Sequence, residues 1–199
     1  MQMKTEKDMY GFLRSAEYIE LERESRLAIA PAIVKRDLAW VHYLKAIGGA
    51  VNLKPGGVFK PSYQLKMLVR RGVPAAYRSL VWKHISMSDQ YRLRHPRSYY
   101  SDLVDRINED LNAKVRDDID KDLLRTFPDH DYFRSGCGLA TLCRVLSAYA
   151  LHNPEVAYCQ SLNFIAGTLL LYLEEEDGFW LFCALLDYIL PAEQYSRSM

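Results

Sequence analysis

The sequence has few cysteines, few residues that break regular structure and no long apolar run. Its 199 residues include four cysteines, ten glycines and eight prolines. No C-x-x-C pair occurs and no histidine stands at zinc-ligand spacing beside a cysteine, so we expect no metal site and reduced thiols. The most apolar run, residues 164–173, is shorter than the roughly 20 residues that cross a bilayer. Charge follows the first residues directly, so we expect no signal peptide and predict a soluble, cytoplasmic protein.

Signatures of nucleotide binding and hydrolysis are also missing. The chain contains no G-x-x-x-x-G-K-[ST] or G-x-G-x-x-G loop, no G-x-S-x-G elbow and no H-E-x-x-H pair. We therefore expect the chain to hold no nucleotide, cofactor or metal of its own. Arginines and tyrosines alternate between residues 91 and 100, a mixture that can bind nucleic acid. The balanced overall charge and the absence of helix-turn-helix spacing argue against that function.

Acidic and basic residues are nearly equal in number but unevenly distributed. Lys and Arg total 26 against 25 Asp and Glu, a net charge of +1. Residues 35–97 nevertheless carry thirteen basic and two acidic side chains, a net charge of +11, whereas residues 98–199 carry a net charge of −9. This asymmetry leaves several interpretations open. The basic segment could be a charged docking surface or contact a phosphate or an anionic lipid, or the two segments could attract each other. They could equally form oppositely biased, solvated faces of one domain.

Apolar residues recur mainly at helical spacing, and no hairpin signal is found. A loop rich in glycine, residues 48–57, divides a predicted helical extension and linker, residues 1–60, from a main domain, residues 61–199. The predicted fold class is all-α. Caps, breakers and periodicity predict helices over residues 6–29, 33–47, 63–71 (capped by Ser62), 75–85, 99–113, 117–127, 138–152, 154–173 and 179–189.

Two short segments combine polar residues in patterns that could bind a partner. Asp122 and Arg125 stand at i, i+3 just before Pro128 interrupts the helix. Such an arginine is either held ready to enter a partner's site or forms an ordinary surface ion pair. In the second segment, Gln160 and Asn163 begin a very apolar helix, where they either find hydrogen-bond partners as structural polar groups or face a groove.

Taken together, residues 72–199 resemble the TBC-domain family of Rab GTPase-activating proteins. The family's three signatures occur in its order, with further matches at residues 72–74, 126–128 and 179–180. The opening Asp8-Met9-Tyr10-Gly11-Phe12 is similar to the segment ahead of the domain in the Armus branch. The signatures are R-x-x-x-W at Arg78 and Trp82, I-x-x-D-x-x-R at Ile119, Asp122 and Arg125, and Y-x-Q at Tyr158 and Gln160.

This resemblance implies an irregular all-α helical array, the N-terminal subdomain of a TBC domain preceded by an extra helical segment. The implied partner is a GTP-bound Rab-family small GTPase, which carries the GTP and Mg²⁺ itself. The chain would be an activator rather than an enzyme, acting in vesicle trafficking and recruited to endomembranes. Arg125 would be an arginine finger. Gln160 would be a second catalytic finger, taking the place of the GTPase's own water-positioning glutamine. Tyr158, Asp122 and Asn163 would position these groups or contact the partner, and Arg78, Trp82 and Ile119 would brace the fold.

The sequence departs from the family pattern in two ways. Ala157 and Ser161 stand on either side of Y-x-Q, where the family usually has glycines. The chain also stops near the middle of the pattern, so we expect the finger-bearing N-terminal half of the domain, without its C-terminal half. Both departures favour an alternative function: a catalytically weak or inactive TBC-like module that binds a small GTPase or a scaffold.

Overall fold

Helices account for nearly all regular structure in the computed structural model, which describes residues 5–49 and 62–195. Within these residues a two-stranded antiparallel hairpin precedes the helices, and no helix is both long and apolar enough to span a membrane. Short 3₁₀ turns occur at Ala75–Tyr77 and Ala192–Tyr195, and a π-helix at Leu185–Ile189. The all-α prediction is confirmed. The elements are β1 (Thr5–Lys7), β2 (Leu13–Ser15), α1 (Ala16–Ala46), α2 (Tyr63–Arg70), α3 (Arg78–Ser86), α4 (Ser88–Arg92), α5 (Tyr99–Asp110), α6 (Ala113–Leu123), α7 (Asp131–Arg134), α8 (Cys137–His152), α9 (Leu162–Leu170) and α10 (Glu175–Ala184).

Helix α8 lies at the centre of the larger hydrophobic core. It contacts α5, α6, α7, α9 and α10, and its side chains at Leu142, Val145 and Leu146 are fully buried. Their spacing of three and four residues places them on one helical face. The helix predicted over residues 138–152 is confirmed to within one residue. Because α6 and α9 both pack on α8, the segments that follow α6 and precede α9 are brought together.

A smaller core joins the end of α1 to α2 and α3. Trp40 is fully buried there, and its indole N–H donates a hydrogen bond to the Gly72 carbonyl at 3.0 Å. Gly72 ends the α2 region with a φ of +98°, the conformation expected of glycine after a helix. The predicted cap is confirmed, since Ser62 Oγ accepts from the Leu65 N–H at 3.1 Å. Most of the loop proposed as a domain boundary, from residue 50 onward, lies outside the described residues, and the division at residue 60 stays a prediction.

The prediction for the N-terminal region is wrong in two respects. Residues 5–7 and 13–15 form β-strands instead of helix, and a single helix then runs through Pro31 to Ala46. The helix begins at residue 16 because Ser15 caps it, accepting from the Tyr18 N–H at 3.2 Å. Pro31 is tolerated since it is exposed, so water can satisfy the helix carbonyl that loses its N–H partner.

Helices α5 and α6 end at residues 110 and 123, earlier than the predicted 113 and 127. The starts of three helices also differ from the predictions, for local reasons. Helix α6 begins at residue 113 instead of 117, because the Asn112 side chain caps it, accepting from the Lys114 N–H at 2.9 Å. The predicted helix over residues 154–173 starts only at Leu162, since residues 153–161 form a loop. Helix α10 starts at Glu175, where three acidic residues in the first turn favour the helix N-terminus.

The start of α10 is fixed to its neighbours by one carboxylate. Arg144 of α8 donates from Nε to Glu175 Oε1 at 2.7 Å, and the Tyr100 hydroxyl donates to the same oxygen at 2.7 Å. The hydrogen bonds from Arg144, helped by that from Tyr100, lower the pKa of Glu175 against the opposing effect of burial. This carboxylate therefore ties three helices together in its ionised form.

Candidate functional site: a cleft shared by an arginine and a glutamine

The arginine predicted as a finger lies in the loop that leaves α6, residues 124–130, here called the finger loop. Helix α6 ends at Leu123, and Thr126 turns the chain: its N–H donates to the Leu123 carbonyl at 3.1 Å and its hydroxyl to the Asp122 carbonyl at 2.7 Å. The buried Asn163 of α9 donates from Nδ2 to Thr126 Oγ1 at 2.7 Å. The start of the finger loop is thus joined to α9 by a side-chain hydrogen bond.

A single buried carboxylate organises the site. Asp122 is 3% exposed, and its Oδ1 forms an ion pair with Arg125. Its Oδ2 accepts from the Tyr158 hydroxyl at 2.6 Å. Burial and the neighbouring Asp122 raise the pKa of Tyr158, so the phenol keeps the proton that it donates. Asp122 therefore connects the finger loop with the Y-x-Q segment.

Arg125 is anchored at one side and open at the other. Its side chain is 53% exposed, in contrast to the buried carboxylate with which it pairs. A guanidinium has five N–H donors in a fixed plane. Pairing with one carboxylate oxygen leaves donors for a second anion, and the ion pair limits the rotamers that the long side chain can sample. This geometry suits an arginine presented to a phosphate.

The glutamine of the Y-x-Q segment projects from a strained loop. Ala157 and Ser161, the two residues that replace the family's usual glycines, both have positive φ values, of 53° and 91°. Gln160 is exposed between them. Burial raises the pKa of the Cys159 thiol, which argues against a reactive thiolate beside it. The backbone therefore adopts the left-handed conformation on both sides of the segment although neither residue is glycine.

Arg125 and Gln160 line the same surface cleft, which has a volume of about 300 Å³. The two residues come from segments 35 positions apart in the chain. Three further residues, Asp118, Lys121 and Cys159, were not predicted. Asp118 could have been predicted, because residues four apart in a helix lie on the same face and Asp122 was already a candidate. The lining residues are Asp118, Lys121, Asp122, Arg125, Tyr158, Cys159 and Gln160.

The residues predicted to brace the fold do not line this cleft; Arg78 and Trp82 are half-buried and Ile119 is buried. The Arg78 guanidinium donates to the Tyr172 hydroxyl and stands 4.8 Å from the centre of that ring. Trp82 meets the same ring edge-to-face at 5.1 Å. Ile119 is 1% exposed in the larger core. Arg78 and Trp82 therefore fix α3 against the segment that follows α9.

Among the described residues, one cluster offers metal-ligating atoms, but hydrogen bonds already occupy those of His152 and Asp187. Ligand atoms of His152, Cys183 and Asp187 lie within 4.8 Å of one another. His152 Nε2 is 3.1 Å from Asp187 Oδ2, and the Tyr91 hydroxyl donates to the same oxygen at 2.9 Å. Burial raises the pKa of the Cys183 thiol well above its ordinary value, which opposes the thiolate form that binds metals. The arrangement fits a structural polar network.

Comparison with known proteins defines the class of this fold and site. The model of the Rab-GTPase-TBC domain matches residues 75–199. The chain belongs to this family. The matched region contains the signatures of both cleft-forming segments, and the predicted resemblance is confirmed.

Individual relatives agree with this assignment. The chain is 38% identical over 198 residues to growth hormone-regulated TBC protein 1-A of Danio rerio, covering 96% of this chain and 51% of that protein. It is 34% identical over 201 residues to GTPase-activating protein GYP3 of Saccharomyces cerevisiae, covering 92% and 32%. The crystal structure of the Chlamydomonas flagellar RabGAP TBC domain superposes with a TM-score of 0.78 at 32% identity, covering 96% of this chain and 61% of that one. The chain spans about a third to a half of the two curated relatives.

Proposed function

We propose that this chain is a GTPase-activating module for a Rab-family small GTPase, to which it supplies Arg125 and Gln160 in trans. The observation that carries the proposal is the cleft that these two side chains share, with Arg125 anchored on a buried carboxylate. The names of two relatives support it: the yeast protein is a GTPase-activating protein and the Chlamydomonas structure is a RabGAP TBC domain. The chain would act as an activator that completes the active site of its partner.

The chemistry of GTP hydrolysis explains why these two residue types would be needed. Negative charge on the transferring phosphoryl group must be neutralised, and a water molecule must be held in line with the bond that breaks. Arg125 would donate to the phosphate oxygens. Gln160 can donate from its amide nitrogen and accept with its carbonyl oxygen, so it would orient the water. The GTP and Mg²⁺ would both be carried by the GTP-bound partner.

The remaining polar residues of the site would position these two groups. Asp122 would hold the Arg125 guanidinium, and Tyr158 would lock the carboxylate through its hydrogen bond. Asn163 would fix the finger loop through Thr126. Positioning of this kind matters because a displacement of about 1 Å can cost on the order of 100-fold in rate.

Single-turnover GTP hydrolysis across a panel of Rab proteins tests the proposal. We expect wild-type protein to accelerate hydrolysis by at least one Rab, and Arg125→Ala to lower that stimulation by roughly 10³- to 10⁵-fold. Gln160→Ala should lower it as well. Arg106→Ala is the matched control, since Arg106 also forms an ion pair one turn away, with Asp110, but lies on α5. GTP-dependent binding without stimulation by any form would favour the binding-module alternative.

The basic segment suggests how the protein could reach its partner. Rab proteins sit on membranes, and residues 35–97 carry a net charge of +11. We expect a peripheral contact of this segment with anionic lipid to recruit the cytoplasmic protein to endomembranes. Co-sedimentation with vesicles should then rise with phosphatidylserine content and fall with salt. If the protein sediments equally with phosphatidylserine-containing and pure phosphatidylcholine vesicles, the proposed lipid contact is contradicted.

A further inference from the structure

The N-terminal hairpin contains a turn, residues 8–12, that is closed by its own aspartate. The buried Asp8 accepts at Oδ1 from the N–H groups of Tyr10 and Phe12, both at 2.9 Å. Its own N–H donates to the Phe12 carbonyl at 2.8 Å, and Arg14 Nε donates to its Oδ2 at 3.2 Å. These hydrogen bonds fix the backbone of the turn and determine where the Phe12 ring and the Tyr10 carbonyl lie.

This turn packs directly against the finger loop. The Leu13 N–H donates to the Asp129 carbonyl at 2.7 Å, and Phe12 forms an antiparallel bridge with His130. The Phe12 ring meets the Phe127 ring edge-to-face at 5.4 Å and the His130 ring at 4.8 Å. The contact therefore involves residues that follow Arg125 by only two to five positions.

His130 makes the contact specific. The Tyr132 N–H donates to its Nδ1 at 3.2 Å, so Nε2 must carry the proton that it donates to the Tyr10 carbonyl at 2.8 Å. The approach also requires glycine at the top of the turn. A Cβ on Gly11 would lie 2.7 Å from His130 Nε2, and the φ of Gly11 is +94°. A larger side chain here would push the turn and the finger loop apart.

The finger loop has a conformation that its own sequence does not favour. Phe127 has a φ of +50°, in the left-handed region that bulky residues rarely adopt. Asn163 holds the loop at Thr126 from one side, and the N-terminal turn holds Phe127 and His130 from the other. A conformation of this kind persists only where surrounding contacts determine it.

We propose that the turn at residues 8–12 is a positioning element for Arg125. It would act by fixing the conformation of the finger loop, although it lies N-terminal to the region that matches the TBC domain. This inference rests on the proposed function. Residues 8–12 precede the family match, which begins at residue 75. Phe12 does not line the cleft, and its ring contacts in the finger loop are with Phe127 and His130, so its effect would pass through these two residues. Without the turn, Arg125 would still be present, but its guanidinium would be positioned less precisely for the phosphate of the partner.

Phe12→Ala tests the proposal, with Tyr18→Ala as its matched control. Both rings lie beneath the Arg14 guanidinium, at 5.0 and 5.3 Å, but only Phe12 contacts the finger loop. In stimulated hydrolysis, Phe12→Ala should lower kcat by about 10- to 100-fold and change the KM for the GTPase by less than about twofold. Phe12→Tyr keeps an aromatic ring and should have a kcat close to that of wild type. Tyr18→Ala should leave kcat unchanged. An equal loss in both alanine variants, or a change confined to KM, would overturn the proposal.

A second measurement does not depend on GTPase activity. In amide hydrogen exchange, Phe12→Ala should accelerate exchange across residues 126–134 but not in α10, whereas Tyr18→Ala should do neither. If wild-type protein stimulates no Rab but this pattern appears, the proposed function fails while the contact stands. If exchange in the finger loop rises and kcat does not fall, the positioning role is overturned and the proposed function survives.

Discussion

Replacing Ser161 with glycine should stabilise the protein, because Ser161 occupies a backbone conformation that suits glycine. The residue precedes α9 at the N-cap position, with φ 91° and ψ −23°. Its hydroxyl makes no capping hydrogen bond there, although serine usually caps a helix by accepting from the backbone. The side chain is exposed, so its removal exposes no apolar surface.

The expected magnitude follows from two opposing effects. An L residue in the left-handed region costs about 1–2 kcal/mol, which glycine avoids. Glycine loses more backbone entropy on folding, about 0.5–1 kcal/mol. The free energy of unfolding should therefore rise by about 0.5–1 kcal/mol. For a chain of this size each kcal/mol shifts Tm by about 2–4 °C, so an increase of about 1–4 °C is expected.

Urea and thermal unfolding of three variants test this reasoning. Ser161→Gly should be more stable than wild type, whereas Ser161→Ala keeps a Cβ and should differ from wild type by less than about 0.5 kcal/mol. Ala157→Gly should bring no gain despite its φ of 53°, because Ala157 is buried and its methyl group contributes about 0.8 kcal/mol. The reasoning is refuted if Ser161→Ala stabilises as much as Ser161→Gly, or if Ser161→Gly brings no gain.

Three further changes have expected outcomes. Tyr158→Phe removes the hydrogen bond to the Asp122 carboxylate and should lower the free energy of unfolding by about 1.5–3 kcal/mol in urea titration, with a parallel loss of stimulated hydrolysis. Gly167→Ala adds a Cβ 3.0 Å from the Phe127 ring, so the helix-propensity gain of about 1 kcal/mol should be cancelled by overpacking, and a stability gain of that size in urea titration would contradict this. Glu175 has a lowered pKa, so its contribution to stability is complete above the unfolded pKa of about 4.3 and is lost as pH falls through the folded value. Glu175→Gln should accordingly be less stable at pH 7 and lose less stability on acidification, as measured by unfolding between pH 7 and 2.

The parts of the fold that were predictable are those in which local pattern and tertiary packing agree. Leu139, Leu142 and Leu146 repeat at helical spacing, and the helix that they predict is the central one. Asp122 and Arg125 are one turn apart in sequence, and they form the predicted ion pair even though Arg125 lies beyond the end of α6. Local spacing alone determines such a contact.

The differences arise where distant residues decide the conformation. Nothing between residues 5 and 15 shows that a loop after α6 accepts the Leu13 N–H, so the hairpin was missed. Pro31 suggested a helix end, but a long exposed helix tolerates it. Ala157 and Ser161 carry no glycine signal, and their positive φ values are imposed by the loop between α8 and α9. The common cleft of Arg125 and Gln160 likewise depends on both flanking helices packing on α8.

The most direct test of the central claim is the affinity of wild type and Arg125→Ala for a responsive Rab in three nucleotide states. These are GDP, a non-hydrolysable GTP analogue, and GDP with aluminium fluoride, which mimics the transferring phosphoryl group. Transition-state analogues bind at least about 100-fold more tightly than ground-state ligands. We predict this preference for the aluminium fluoride state in wild type, and its loss in Arg125→Ala with binding of the GTP-analogue state retained. An undiminished preference in Arg125→Ala would contradict the assignment of Arg125 as the finger.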